Sequence, residues 1–139
     1  AGTALDLTDY GNMGAIQNIG LPLNFRFYNE SYDSLTVCSN GWISPGQTEI
    51  MSFMNWPIPG VLGPSPIIAP FWDDLLTYGD QVFYFYNSAL HYFVIEWSHV
   101  HDQFDSSLET FEVVLYDADY YNTLLGDSKI LFQYQTVNN

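Results

Sequence analysis

The chain has 139 residues, with 16 acidic and 2 basic side chains and a formal charge of −14 at pH 7. Hydrophobic residues make up 47% and aromatics alone 18%, which supplies a real core and excludes a disordered chain. With only Arg26 and Lys129 as cations, there is no footprint for nucleic acid or for an anionic membrane surface.

No apolar run reaches the roughly 18 residues of a membrane span, so membrane insertion is not expected. Ala1 is followed by Gly2, Thr3 and Asp6, not by a basic and then apolar leader. The single Cys38 excludes an internal disulfide framework and is expected to be an inert buried thiol. Residues 1–139 are expected to form one domain, part of a longer chain.

Apolar residues alternate with period two or cluster in short runs bounded by Gly, Pro, Asn and Asp, which signals strands rather than helices. Leu23, Phe25 and Phe27 share one face, with Asn24, Arg26 and Tyr28 on the other. Residues 29–34 are expected to turn. Leu35 to Ser39 forms the next strand, and Asn40-Gly41 a tight hairpin leading into Trp42 to Ser44. Pro45 to Pro66 holds five of the seven prolines and three of the ten glycines. A loop of that length is uncommon unless it is functional or carries structure of its own. Glu49 to Met54 is expected to make one helical turn, and Ile67 to Trp72 a short strand interrupted by Pro70. Gln81 to Tyr86, Leu90 to Trp97, Thr110 to Tyr116 and Ser128 to Tyr134 complete the set, with Asn87-Ser88 as a tight turn. About eight strands with little helix predict an all-β antiparallel sandwich, jelly-roll-like in character. The chain runs out directly after a strong strand, which suggests a sheet continued elsewhere or completed by another chain.

Several phrases then stand out in order: Phe25-x-Phe27-Tyr28, Ser39-Asn40-Gly41-Trp42, Ala69-Pro70-Phe71-Trp72-Asp73-Asp74, Phe93-Val94-Ile95-Glu96-Trp97, Thr110-Phe111-Glu112-Val113 and Ile130-Leu131-Phe132-Gln133-Tyr134. From about Leu21 to Tyr134 the chain resembles the nidogen-type (NIDO) extracellular domain. Its dialect is similar to the accessory modules of secreted bacterial proteases of the gingipain-like type. The resemblance implies an extracellular or cell-surface, mostly β, non-catalytic module, and it carries over no catalytic residues. Trp42 and the segment Asn55 to Pro66 depart from the animal domains.

Four chemistries are weighed on the residues themselves. His99 and His101 share a strand face at i, i+2 and could reach one metal, against the plainer reading of a polar strand end. Asp73 with Asp74, and Asp117 with Asp119, are the candidate calcium ligands, because loop carboxylates suit that ion. The plainer reading is a solvated acidic surface. Glu96 and Glu112 lie on strands and are a carboxylate pair of the kind glycosidases use, with nothing in the sequence to set their separation and Glu96 expected to be exposed. Eleven tyrosines exceed what such a core can hide, so Tyr84, Tyr86, Tyr92, Tyr120, Tyr121 and Trp56 are the candidate ligand-binding aromatics. Asn29-Glu30-Ser31 is a lone glycosylation sequon and carries little weight.

The leading expectation is a non-catalytic extracellular module for adhesion, assembly or spacing, contacting a protein or polysaccharide surface. A carbohydrate-binding module and a filament subunit completed by a strand from another copy are the alternatives.

Overall fold

The alternating pattern folds into nine strands in the computed structural model, which describes every residue except Ala1, Tyr10, Asn12, Pro59 and Asn139. They are β1 (Thr3–Ala4), β2 (Ile16–Phe27), β3 (Glu30–Cys38), β4 (Trp42–Pro45), β5 (Leu75–Leu76), β6 (Val82–Asn87), β7 (Tyr92–Asp102), β8 (Leu108–Tyr116) and β9 (Ile130–Thr136). No helix occurs among the described residues. The all-β antiparallel sandwich is therefore the fold. One sheet has six strands in the order β1-β6-β7-β8-β9, with β5 paired to the far end of β7. The other has three, in the order β2-β3-β4.

Rows of directly opposed residues cross the large sheet and alternate between its faces. Val82–Trp97–Phe111–Tyr134, Tyr84–Ile95–Val113–Phe132 and Tyr86–Phe93–Leu115–Ile130 face inward. Phe83–Glu96–Glu112–Gln133 and Phe85–Val94–Val114–Leu131 face outward. From the small sheet, Leu21, Leu23, Phe25, Leu35, Val37 and Ile43 join the inward rows in one core. Each large apolar side chain buried there contributes about 1.5–3 kcal/mol. Trp97 stacks on Phe111 with ring centres 5.0 Å apart, and its indole N–H donates to the Cys38 carbonyl at 3.0 Å.

On its other face the small sheet carries Cys38 and Trp42, which pack with Trp72; Trp56, Ile67 and Ala69 pack against this second cluster. All four of these partners come from residues 46–74, the long proline-rich connection. Hydrogen bonds fasten that connection down. The Ser52 carbonyl accepts from the indole N–H of both Trp42 and Trp72, at 3.0 Å each. The Asn40 amide donates to the Met13 and Met51 carbonyls, while its Oδ1 accepts from the Leu75 N–H at 3.1 Å. Phe71 N–H donates to the Gly41 carbonyl. Gly41 sits at φ 79°, and a Cβ there would collide with the Phe71 carbonyl oxygen, so only glycine fits.

Several expectations are corrected. Ile67 to Trp72 is not a strand; only Ile68 bridges to Ile43, because Pro66 and Pro70 lack the N–H groups a ladder needs. Glu49 to Met54 makes no helical turn. The turn expected over residues 29–34 is confined to Tyr28 and Asn29, at φ 47° and 65°, and β3 resumes at Glu30. The turn after β6 is longer than a two-residue one. Asn87 Oδ1 accepts from the N–H groups of Ala89 and Leu90, and His91 at φ 58° closes the turn. β1 and β5 were not foreseen, and β2 begins at Ile16, well before Leu23.

Candidate functional site

The proline-rich connection does more than cover the small sheet. With the β2–β3 hairpin it encloses a cleft of about 400 Å³. Phe27, Tyr28 and Tyr32 line it from the hairpin, and Ile58, Pro64, Ile67 and Trp72 from the connection. The hairpin turn forces Tyr28 outward: it is 81% exposed and meets Phe27 edge-on at 4.6 Å. Glu30 is the one formal charge in the lining, and the Tyr32 hydroxyl donates to its Oε2 at 3.0 Å. Burial first, then the bond to Glu30 and its charge, push the Tyr32 phenol above its usual range.

A second aromatic group lies at the end of β7 and β8. His91 stacks on Tyr120 with ring centres 4.0 Å apart, Tyr120 meets Tyr121 at 5.1 Å, Tyr121 meets Tyr116 at 4.9 Å, and Tyr116 meets Tyr92 at 5.9 Å. Lys129 Nζ stands 4.7 Å above the Tyr116 ring, and the Tyr121 hydroxyl donates to the Leu90 carbonyl. Tyr120 is 58% exposed.

Of the six aromatics singled out from the sequence, three come together here: Tyr92, Tyr120 and Tyr121. The other three do not join them. Tyr84 and Tyr86 pack against the main core, Tyr84 stacking on Phe93 at 5.5 Å, and Trp56 packs against the Cys38–Trp42–Trp72 cluster. Tyr28, Tyr32, Trp72 and Tyr116 were missed. Tyr28 was findable, since a large aromatic beside Asn29 in a two-residue turn has nowhere to point but outward.

The candidate calcium ligands hold loops. Asp73 Oδ1 accepts from the Asp74 N–H at 2.8 Å. Asp117 Oδ1 accepts from the Asp119 N–H, and Asp119 Oδ1 from the Asn24 amide, both at 2.9 Å. Burial, then the charges of Asp9, Asp73 and Asp102, raise the Asp74 carboxyl above the usual range. Among the described residues no group of three or more His, Cys, Asp or Glu side chains is arranged to hold a metal ion. His99 lies in a bulge of β7 at φ 54° beside Ser98, whereas His101 meets Tyr78 edge-on, 5.2 Å between ring centres. Cys38 is buried and free, and burial pushes its thiol up to about 12, so it does not ionise near neutral pH.

Compared with known protein families, residues 1–136 match the family model described as NIDO related. No curated protein and no solved structure matches the chain.

Proposed function

Since the chain belongs to the NIDO-related family, we propose that it is a non-catalytic extracellular module serving adhesion, assembly or spacing within a larger secreted or surface protein. The observation that carries this reading is the cleft between the proline-rich connection and the β2–β3 hairpin. It is lined by aromatic and aliphatic side chains around one carboxylate, with Tyr28 standing free at its mouth. Exposed apolar surface of this kind suits protein docking, where aromatic anchors supply most of the binding energy. An active site would instead converge several titratable groups on one point. The family supports an extracellular location. The wording of the motifs supports a place beside a secreted bacterial protease of the gingipain-like type. Burial and then the neighbouring carboxylates raise Asp74, and a calcium ion at Asp73 and Asp74 would offset the repulsive contribution; the melting temperature in EDTA and in millimolar calcium tests that part.

The tyrosine group from Tyr92 to Tyr120 favours a second reading, a carbohydrate-binding module: its rings meet edge-on or tilted, and the exposed Tyr120 ring, stacked on His91, offers an apolar face to a sugar. The edge strand β9 supports the filament alternative. It carries no charge or proline, and Phe132 and Tyr134 remain 41% and 49% exposed.

One experiment separates these readings. The labelled domain is applied to surfaces coated with extracellular protein, the same surfaces after proteolysis, and insoluble polysaccharides. Adhesion through the cleft predicts retention on intact protein coats, abolished by Tyr28→Ala combined with Ile58→Asp. Retention on polysaccharide that is lost with Tyr120→Ala transfers the function to the tyrosine group. Retention indifferent to both variants rejects both sites.

A further inference from the structure

The outer face of the six-stranded sheet holds an arrangement that folding does not explain. Glu96 on β7 and Glu112 on β8 are directly opposed. Like charges so placed destabilise a strand pair. The chain has two cations, and neither serves this pair: Arg26 lies 3.7 Å from Asp127, and Lys129 sits over Tyr116. Among the described residues no hydrogen bond or ion pair holds either carboxylate. Burial first, and Glu96 second, raise the Glu112 carboxyl above its usual range. Gln133 is the polar neighbour of Glu112 in the same row, and aromatic and aliphatic side chains supply much of the rest of the surroundings. Phe83 flanks Glu96 in its own row, and the next row is Phe85–Val94–Val114–Leu131. Tyr92 and Tyr116 close the far side, and with Glu96, Glu112 and the Phe85–Val94–Val114–Leu131 row they line a shallow depression of about 510 Å³.

We propose that this face docks a protein partner that inserts a lysine or arginine side chain between Glu96 and Glu112, with its own apolar residues lying over Phe85, Val94 and Leu131. Charge complementarity selects this occupant. A second copy of the chain would bring four carboxylates together on one apolar face. A calcium ion asks for about 6–8 oxygen ligands, and the neighbouring row offers only hydrocarbon. A neutral sugar could donate hydroxyl hydrogen bonds to the carboxylates but would bring no positive charge to offset their mutual repulsion. A basic side chain meets both demands, since its head pairs with the carboxylates while its methylene stem covers apolar surface. The surface is separate from the cleft beside the proline-rich connection, so the two can fail independently.

The test is an amide chemical-shift titration of the whole chain with a capped pentapeptide alternating valine and lysine, and with its norleucine counterpart. The lysine peptide is expected to shift the outward positions of β6–β9 and to bind about tenfold more tightly than the norleucine peptide, since charge-assisted contacts are the stronger ones. Glu96→Gln and Glu112→Gln should each weaken the lysine peptide several-fold and bring the two peptides close together. Both variants should melt at or above the wild-type temperature because each relieves repulsion, which separates lost binding from lost folding. Equal binding of the two peptides overturns the proposal. So do no shift at millimolar peptide, shifts confined to the cleft residues, or displacement of the peptide by millimolar calcium.

Discussion

The two faces of the six-stranded sheet are built from the same strands, one residue out of step, and they obey different rules. On the inner face Val82–Trp97–Phe111–Tyr134 forms a row in which Trp97 and Phe111 are sealed from solvent and stacked, with the indole N–H on the Cys38 carbonyl. On the outer face, one step along, Phe83–Glu96–Glu112–Gln133 sets two carboxylates against each other, with no ion pair to either among the described residues. Every inner choice has a reason in stability. The outer carboxylates work against stability, so their reason has to be sought in what the face meets. The general lesson is that a locally unfavourable pair on an otherwise ordinary sheet marks surface chosen for contact.

The sharpest way to break this comparison is on the inner face. Trp97→Ala removes a fully buried ring and its indole hydrogen bond to the Cys38 carbonyl, which still accepts from the Gly41 N–H. It should cost about 3–5 kcal/mol, read as a lowered denaturation midpoint in urea. A loss below about 1 kcal/mol would mean that this face is not the core. Gly41→Ala comes next. It places a Cβ against the Phe71 carbonyl at a positive φ, and should cost roughly 2–4 kcal/mol by prising the proline-rich connection from the small sheet. On the outer side, Tyr120→Ala removes an exposed ring whose main partner is His91. Its cost should stay below about 1 kcal/mol, so a large loss in the same urea titration would make the tyrosine group structural rather than a contact surface.

The same contrast explains what the sequence disclosed. Strands β6 to β9 were legible because strict alternation has period two, and the Asn40-Gly41 turn because few residues accept positive φ. Alternation, however, defines two faces without saying which one turns inward. Tyr84 and Tyr86 were assigned to a ligand platform on that ambiguity, and they pack against the core. Ile67 to Trp72 has a strand's composition, but it is held by side-chain contacts, by bonds to Gly41 and Tyr134 and by a single bridge to Ile43 rather than by a ladder. The cleft could not be read at all, since it depends on where a proline-rich connection folds back over Trp72. The facing of Glu96 and Glu112 depends on the β7–β8 register across a bulge between Trp97 and Val100, and no local pattern specifies that.

The smallest effect tests the outer face most directly, and its sign is fixed by linkage. Burial and the neighbouring Glu96 raise the Glu112 carboxyl above its ordinary value of 4.5. A group whose folded-state pKa lies above its unfolded value holds its proton longer in the native state. Its favourable contribution is therefore present below the unfolded value and is lost as pH rises through the folded one. Glu112→Gln cannot ionise and escapes that loss. The variant should thus gain stability relative to wild type as pH rises from about 4 to neutrality, reaching no more than about 1 kcal/mol, or roughly 2–4 °C in melting temperature. Asp74, also raised, is unchanged in both proteins, so it drops out of the difference. Glu96→Gln should give a gain of the same sign, and the double variant less than the sum of the two singles, because either change alone already removes the repulsion. Additive gains would show that the two carboxylates do not feel each other, and the outer face would lose the property that sets it apart from the inner one.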